Sequence, residues 1–314
     1  MTEILEPNAQ GLRSAAAILG RGGLVALPTE TVYGLAGDAT NDSAVAAIYQ
    51  AKGRPSFNPL IVHVADASVA EGLVTVSPMA QRLADAFWPG PLTLVLPLRP
   101  DAGVSPLVTA GLTTLAVRVP EHPVAQGLLQ VFGGGLAAPS ANPSGRVSAV
   151  TADHVMTGLA GRIDAVLDGG PCSVGVESTI VGFDGDRAVI LREGGVPAEA
   201  LAEVLGHDPD RRKEVGAITA PGQLASHYAP GGAVRINATM AQPGEVFVGF
   251  GPMECDLNLS ETGDLAEAAA NLFRHFHQLD AEGAARIAVA PVPETGLGRA
   301  INDRLRRAAA PRDS

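Results

Sequence analysis

The most reactive-looking part of this sequence pairs two cations around a glycine. Residues 52–55 are Lys-Gly-Arg-Pro, and Asn58-Pro59 follows closely. Lysine supplies a compact positive charge and arginine a planar fork of donors, so Lys52 and Arg54 could together hold an oxyanion or a triphosphate. The alternative is the solvated basic end of a helix, where the helix dipole favours positive charge.

A second segment, residues 28–35, offers hydroxyl, carboxylate and phenol groups in the order Pro-Thr-Glu-Thr-Val-Tyr-Gly-Leu. It follows a buried apolar run, so it begins where a strand is predicted to end. Its alternative is a polar loop over the edge of a sheet. His63 lies on another predicted strand. It could bind a ligand, or it could be a buried histidine whose hydrogen bonds are made within the core.

The third segment, residues 138–146, reads Ala-Pro-Ser-Ala-Asn-Pro-Ser-Gly-Arg. Its hydroxyls and backbone N–H groups could cradle phosphates. Because the sequence has no Walker pattern, such a site would be a different kind of nucleotide loop. Residues 168–179 and 191–195 combine a strand end with glycines in a similar way, although each alone is more often a turn.

Interleaved strands and helices must position these segments. Several strand neighbours lack a helix between them, which favours an α/β fold with a twisted mixed sheet over a purely doubly wound one. Open α/β sheets bind ligands at strand ends, where the segments lie. Helices are predicted after the capping residues Asn8, Asn41, Ser77 and Thr151. Strands are predicted at residues 24–27, 60–64, 93–98, 114–119, 165–167, 178–182 and 188–191.

The chain divides by composition into three parts. Residues 1–206 form the predicted catalytic domain. Residues 207–232 are polar and rich in Pro and Gly, contain the dense basic run Arg211-Arg212-Lys213, and are predicted to be an interdomain linker. Residues 233–314 predict a small Rossmann-like α/β/α domain that leans on the first domain or on a partner, because it is short for an independent domain.

Composition limits the possible functions. The net charge of −11 argues against stable nucleic-acid binding, which requires an excess of Lys and Arg. Two cysteines are too few for a disulfide framework or a CxxC zinc site. The acidic N-terminus lacks an apolar core and no stretch is long enough to span a membrane, so we expect a soluble, cytoplasmic protein without membrane association.

Taken together, the motifs resemble the YrdC-type threonylcarbamoyl-AMP synthase family in its two-domain form. The matching strings are PTETVYGL, KGRP with the downstream Asn58 and His63, LAVRVP, APSANPSG, LDGG with GVESTIV, and LREGG, in this order from residue 28 to residue 195. HYAP at residues 227–230 and GLGRAINDRLRRAA at residues 296–309 resemble the linker and the extra domain of the long form. The resemblance therefore covers nearly the whole chain.

The resemblance implies an enzyme that joins L-threonine, bicarbonate or CO2, and ATP. N-carboxythreonine would attack the α-phosphate and expel pyrophosphate, giving threonylcarbamoyl-AMP. Other proteins would then transfer the threonylcarbamoyl group to tRNA, so they are the expected downstream partners. Mg²⁺ would arrive with the triphosphate, and no metal site made by the protein is predicted.

The resemblance also implies roles for individual residues. The expected threonine-binding residues are Thr31, His63, Arg118, Ala138 and Ser178. The expected ATP-binding residues are Lys52, Arg54, Asn58, Thr114, Ser140, Asn142, Ser148, Arg192 and Tyr228. Lys52 and Arg54 are the expected catalytic groups, because they would neutralise charge that develops on the phosphates.

One part of the linker departs from the family pattern, since Leu224-Ala225 stands where a Lys-Tyr pair often precedes the HYxP string. Tyr228 is retained, so the resemblance still implies that the linker closes over the nucleotide as a lid. Two other functions share this fold. A double-stranded RNA-binding module conflicts with the acidic charge. Carbamoyl transfer of the hydrogenase-maturation kind comes with cysteine-rich zinc modules, which two scattered cysteines exclude.

Overall fold

The computed structural model describes residues 1–54, 58–211 and 227–311. The described strands are β1 (Glu3–Leu5), β2 (Val25–Leu27), β3 (Gly34–Asp38), β4 (Ile61–His63), β5 (Leu92–Pro97), β6 (Thr114–Arg118), β7 (Leu136–Ala137), β8 (Ala165–Leu167), β9 (Thr179–Asp184), β10 (Arg187–Arg192), β11 (Asp210–Arg211), β12 (Ala233–Arg235), β13 (Val246–Gly249), β14 (Leu257–Asn258) and β15 (Arg286–Val289). The described helices are α1 (Ala9–Gly20), α2 (Asp42–Lys52), α3 (Ala67–Leu73), α4 (Pro78–Phe87), α5 (Pro106–Thr109), α6 (Pro123–Phe132), α7 (Ala152–Leu159), α8 (Ala198–Leu205), α9 (Leu265–Ala281) and α10 (Gly298–Ala309).

The first eleven strands form one mixed sheet, in the order β1-β8-β2-β3-β7-β4-β6-β5-β9-β10-β11. The sheet contains parallel pairs, such as β4 with β6, and antiparallel pairs, such as β5 with β6. The mixed α/β sheet predicted from the sequence is therefore confirmed. The ends of β4, β6 and β10 and the start of β9 lie at one edge of the sheet.

The predicted helix starts are confirmed by their side-chain caps. Asn8 accepts hydrogen bonds from Gln10 N and Gly11 N at the start of α1, and Asn41 caps α2 in the same way. Ser77 with Pro78 begins α4, and Thr151 begins α7. Each cap satisfies backbone N–H groups that have no partner within the helix.

Helix α2 ends at a glycine that has a functional consequence. Gly53 adopts a left-handed conformation with φ of 60°, which closes the helix directly after Lys52. Glycine reaches this region without the steric cost that a side chain would bring. The turn separates Lys52 from Arg54 and directs the chain towards the cluster of polar residues described below.

The last four strands form a separate, wholly parallel sheet in the order β12-β15-β13-β14, with α9 and α10 as its long helices. This agrees with the predicted Rossmann-like unit. It packs closely on the first sheet's domain: a Cβ on Gly175 would lie 2.4 Å from the Cα of Ala270 on α9. His277 Nε2 on α9 also lies 3.0 Å from the carbonyl oxygen of Ser148.

Some elements differ from the sequence prediction. Strand β3 begins at Gly34, within the segment 28–35 for which a polar loop was the alternative, and β1, β3, β7 and α3 were not predicted. Strand β11 lies inside the predicted linker, and most of that linker, including Leu224-Ala225, lies outside the described residues. None of the described helices has the length and apolar character needed to cross a membrane.

Candidate active site

Polar residues from five parts of the chain meet at one edge of the large sheet. His63 ends β4 and Arg118 ends the parallel β6, where the two residues are paired in register. Ser178 precedes β9, and Arg192 ends β10. Because β9 is antiparallel to its partner β10, the start of β9 and the end of β10 lie at the same edge. The loop between β2 and β3 adds Thr31 to this group.

Three neighbours hold Arg118, which the family resemblance assigned to threonine binding. Its Nη2 forms a buried ion pair with Glu30, and its Nη1 donates to Thr31 Oγ1 over 2.9 Å. Its Nε donates to the carbonyl of Gly90 over 3.1 Å. The second oxygen of Glu30 accepts from Glu121 N, so the carboxylate is itself fixed. The guanidinium is thereby positioned as a rigid donor at the end of β6.

Ser178 belongs to a second hydrogen-bond cluster. Its hydroxyl lies 2.7 Å from Thr93 Oγ1 and accepts from Arg192 Nη2 over 3.1 Å. The backbone carbonyl of Ser178 accepts from both Nε and Nη2 of Arg192. One arginine therefore links the Ser178 side of the site to its more cationic side.

The cationic side contains Lys52, Arg54 and Arg192. Lys52 Nζ donates to the carbonyls of Ser140 and Asn142 over 2.6 and 2.5 Å, so the helix end reaches the third sequence segment. Arg54 donates to the carbonyls of Asn58 and Pro59. Burial lowers the pKa of Lys52 well below its usual range, and the neighbouring Arg54 lowers it further. Burial also lowers the pKa of Arg54 to about 10.

The carboxylate of Glu177 interacts electrostatically with Lys52 and Arg192. It accepts from Ser148 Oγ over 2.5 Å and from Arg304 Nε of α10 over 2.8 Å. Burial would raise the pKa of Glu177, but the charges of Arg304 and Arg192 outweigh it and lower the pKa overall. The carboxylate therefore stays ionised while buried.

Tyr228 and His227 cover the site from the side of the C-terminal unit. The Tyr228 ring is stacked 5.7 Å from Phe273 of α9, and the Arg304 guanidinium lies 5.2 Å from its centroid. His227 packs edge-on against Tyr228, with 4.0 Å between ring centroids. Tyr228 has a φ of 62°, which is uncommon for a bulky residue and indicates local strain.

These residues enclose a cavity of about 50 Å³. Its lining includes nine residues of the predicted site: Thr31, Arg54, His63, Arg118, Ala138, Ser140, Ser178, Arg192 and Tyr228. Lys52, Asn58, Asn142 and Ser148 are buried around it rather than lining it, as far as the described residues show. Thr114 is at the opposite end of β6 from Arg118 and lies outside the described lining.

Polar atoms without partners are concentrated in this place. Among the described residues, eight buried side-chain N or O atoms have no hydrogen-bond partner, and seven of them belong to the site or its wall. They are Arg54 Nε, Asn58 Oδ1, His63 Nδ1, Asn142 Oδ1, His227 Nδ1, Tyr228 OH and Arg304 Nη2. Leaving a buried polar group unpaired costs about 1–3 kcal/mol, so this cluster is arranged for a polar ligand.

Sequence reasoning missed several residues of the site. Glu30 and Glu177 lie inside the quoted strings PTETVYGL and GVESTIV, but neither received a role. Thr93 and Arg304 are also part of the hydrogen-bonded network. Nothing local distinguishes Arg304 from the other arginines of α10, because its burial depends on contacts with residues more than a hundred positions away.

Comparisons with known proteins match both parts of the chain. A family model described as "Telomere recombination", the Sua5–YciO–YrdC family, matches residues 17–194. A second, described as "Threonylcarbamoyl-AMP synthase, C-terminal domain", matches residues 196–310.

Two relatives that align with this chain over nearly their whole length are both named threonylcarbamoyl-AMP synthase. The chain is 41% identical to the threonylcarbamoyl-AMP synthase of Bacillus subtilis, covering 99% of this chain and 96% of the relative. The corresponding protein of Pyrococcus abyssi is 39% identical, and the alignment covers 95% of this chain and 94% of that relative. A crystal structure of P. abyssi Sua5 complexed with L-threonine superposes with a TM-score of 0.89 at 37% identity, covering 98% of this chain and 97% of that one.

Proposed function

Because the chain belongs to the threonylcarbamoyl-AMP synthase family, we propose that it makes threonylcarbamoyl-AMP and pyrophosphate from L-threonine, bicarbonate or CO2, and ATP. It is accordingly an ATP-using synthase of the nucleotidyltransferase type. The product serves the threonylcarbamoyladenosine modification of tRNA.

The observation that carries this function is the division of one enclosed site into two chemically different sides. Arg118, Thr31, Ser178 and His63 present a fixed guanidinium, hydroxyls and an imidazole. Arg54 and Arg192, with Lys52 behind them, present positive charge. A small amino acid with a carboxylate suits the first side, and a triphosphate suits the second.

On the threonine side, Arg118 is the group best suited to the amino-acid carboxylate. Its three internal hydrogen bonds set its orientation before substrate arrives, so little side-chain entropy remains to be lost on binding. Within the described part of the chain, the buried Nδ1 of His63 has no hydrogen-bond partner. Burial and the nearby Arg118 lower the pKa of His63 to about 3, so the imidazole is neutral at physiological pH.

On the nucleotide side, the reaction is a displacement at the α-phosphorus. A carbamate oxygen of N-carboxythreonine forms the new P–O bond, and the bond to the β-phosphate oxygen breaks as pyrophosphate leaves. Negative charge grows on the leaving pyrophosphate, where Lys52 and Arg54 act as electrostatic stabilisers. The carbamate is the nucleophile, so the protein's contribution is positioning and charge.

Substrate entry requires the cover to move. The cavity has room for only a few water molecules, far less than ATP occupies. Tyr228 and His227 occlude it and belong to the HYAP string, and Tyr228 holds a strained backbone. We therefore assign these two residues to a lid that opens for ATP and closes over the bound nucleotide.

Mg²⁺ enters this scheme as part of the ATP substrate. Both carboxylates of the site, Glu30 and Glu177, are held by arginines, and the described residues contain no cluster of three or more metal-ligating side chains. Such a site fits an ion that the triphosphate brings. The proposal also includes a cytoplasmic location and downstream proteins that transfer the threonylcarbamoyl group to tRNA.

The double-stranded RNA-binding alternative is not favoured. The full-length relatives carry the synthase name, and the chain's net charge of −11 opposes the counterion release that drives RNA binding.

Pyrophosphate release tests the proposed reaction. The purified protein is supplied with ATP, Mg²⁺, bicarbonate and L-threonine, and each component is omitted in turn. We expect release that depends on both threonine and bicarbonate, with little when serine replaces threonine. Release that is independent of threonine and bicarbonate, or no release at all, would refute the assignment.

A further inference from the structure

A second cleft lies between the two domains, behind the candidate active site. It has a volume of about 620 Å³, within the range of small-molecule sites, and lies between α7 of the first domain and α9 of the second. Its lining combines arginine and histidine side chains with an apolar strip. The reaction proposed above uses none of these side chains.

The first notable feature of the cleft is its charge. Arg146 and Arg274 line it, and neither forms an ion pair with any of the residues that the structure describes. Arg274 Nη1 donates only to the neutral Asn271 side chain. The carboxylate in the described lining, Asp280, accepts from the backbone N–H of Gly231. Two guanidiniums against one carboxylate leave an excess of positive charge in this lining, which suits an anion even in a chain of net charge −11.

The second feature is a pair of stacked histidines. The rings of His154 and His277 have centroids 3.7 Å apart and planes inclined by 17°. Val150 N donates to His154 Nδ1, and His277 Nε2 contacts the carbonyl of Ser148. Each ring is thus fixed through one nitrogen, which leaves His154 Nε2 and His277 Nδ1 without partners among the described residues.

The protonation of this pair is set by its surroundings. Burial, together with the neighbouring His277 and Arg274, lowers the pKa of His154 to about 4. Burial also lowers the pKa of His277. Neutral rings offer one donor and one acceptor nitrogen and a flat apolar surface, alongside the apolar Pro143 and Val147.

The third feature is a wall shared with the active site. Residues 142–148 line the cleft on one side through Asn142, Pro143 and Arg146. On the other side, the carbonyl of Asn142 accepts from Lys52 Nζ, and Ser148 Oγ donates to Glu177. A molecule in the cleft would therefore contact the segment that positions Lys52.

We propose that this interdomain cleft is a second ligand site, specific for a small organic phosphate. Its phosphate is held by Arg146 and Arg274, whose forked donors match phosphate oxygens. Its apolar portion packs against the histidine pair and the strip formed by Pro143 and Val147. A nucleoside monophosphate has both parts, and AMP is a suitable probe.

The histidines themselves report binding. The full-length protein is titrated with AMP and observed by NMR. The imidazole signals of His154 and His277 report binding in the cleft, whereas those of His63 and His227 report binding in the active site. We expect saturable shifts of the His154 and His277 signals, with half-saturation below about 1 mM. Inorganic phosphate and adenosine, titrated separately, should each bind at least ~10-fold more weakly than AMP.

Substitution identifies the groups responsible. Arg146→Gln/Arg274→Gln should weaken the response of His154 and His277 at least ~10-fold, the loss expected when a charged partner is removed. Arg99→Gln/Arg306→Gln makes the same change in net charge at two exposed ion pairs and should leave the response unchanged. An absent or non-saturating response, phosphate binding as tight as AMP, or equal loss in both double variants would overturn the proposal. None of these outcomes bears on the synthase reaction.

Discussion

Arg304 Nε donates to Glu177 Oε2 over 2.8 Å, and this contact joins the last helix to the wall of the active site. Both side chains are buried, with exposed fractions of 0% and 6%. Glu177 remains ionised because Arg304 and Arg192 lower its pKa against the effect of burial. The C-terminal domain therefore supplies a charge that the catalytic domain uses, beyond any contribution to covering the site.

Replacing Arg304 with methionine should reduce both stability and activity. Removing one partner of a buried ion pair costs about 3–5 kcal/mol, because the other charge is left uncompensated. The depressed pKa of Glu177 gives stability that is present above its unfolded pKa and lost as pH falls through its folded pKa. In Arg304→Met the folded pKa rises, so the acidic limb of the pH–activity profile should move to higher pH. Thermal unfolding and kcat/KM measured across pH test both effects.

Arg299→Met is the matched control on the same helix. Arg299 forms an ion pair with Glu199 of α8 across the same two domains. This pair is partly exposed, because the exposed fraction is 25% for the Arg299 side chain and 50% for the Glu199 side chain. Exposed pairs contribute about 0–1 kcal/mol, so stability and the pH profile should change little. If Arg304→Met gave the same pH profile as the wild type, Glu177 would not depend on Arg304 as argued.

Lys52→Ala and Arg54→Ala should each slow turnover by at least ~100-fold, as expected when a major electrostatic stabiliser of the transition state is lost. Arg82→Ala, on the exposed surface of α4, removes the same charge away from the site and should leave turnover unchanged. Steady-state pyrophosphate release measures all three variants. Rates near the wild-type value for both Lys52→Ala and Arg54→Ala would refute their catalytic role.

Local sequence patterns predicted most of the elements because their signals are local. Asn8, Asn41, Ser77 and Thr151 mark helix starts through hydrogen bonds within three residues, and these were recognisable without the fold. Strand β3 was missed because Gly-Leu-Ala-Gly-Asp is a poor strand former. Its pairing with β2 and β7 imposes the extended conformation, and such pairing is a tertiary effect.

The motif strings indicated where the site lies but not how its charges are balanced. The family resemblance assigned roles to Arg118 and Arg192, and the structure brings both to the same cavity. Their partners Glu30 and Glu177 remained unassigned, since a carboxylate in a polar string has many possible uses. The Glu177–Arg304 contact spans 127 positions, and no periodicity or spacing in the chain encodes it.

Tyr228→Phe should separate stability from function. The hydroxyl of Tyr228 is buried and has no partner among the described residues, so removing it should leave stability unchanged or raise it by about 1–3 kcal/mol. If the hydroxyl binds the nucleotide, as proposed, the KM for ATP should increase at least several-fold. Thermal unfolding without ligand and steady-state kinetics give the two readouts. A loss of stability with an unchanged KM would indicate a purely structural role.

His63 should remain neutral throughout the ordinary pH range of a histidine. Burial and Arg118 lower its pKa to about 3, so its imidazole NMR signals should not titrate between about pH 5 and pH 8. The exposed His207 provides a reference signal within the same sample. Moreover, if threonine uses the unpartnered Nδ1, saturating threonine should shift the His63 signals while leaving those of His207 unchanged.

The same reasoning predicts how His63→Leu should behave. Leucine removes the unsatisfied nitrogen from a buried position, so the variant should be at least as stable as the wild type. It should nevertheless bind threonine more weakly, with a KM raised at least ~10-fold and little change in the KM for ATP. A His63 signal that titrates near neutral pH, or a variant with an unchanged KM for threonine, would remove the imidazole from the threonine side. In that event, Arg118, Thr31 and Ser178 would have to define that side without it.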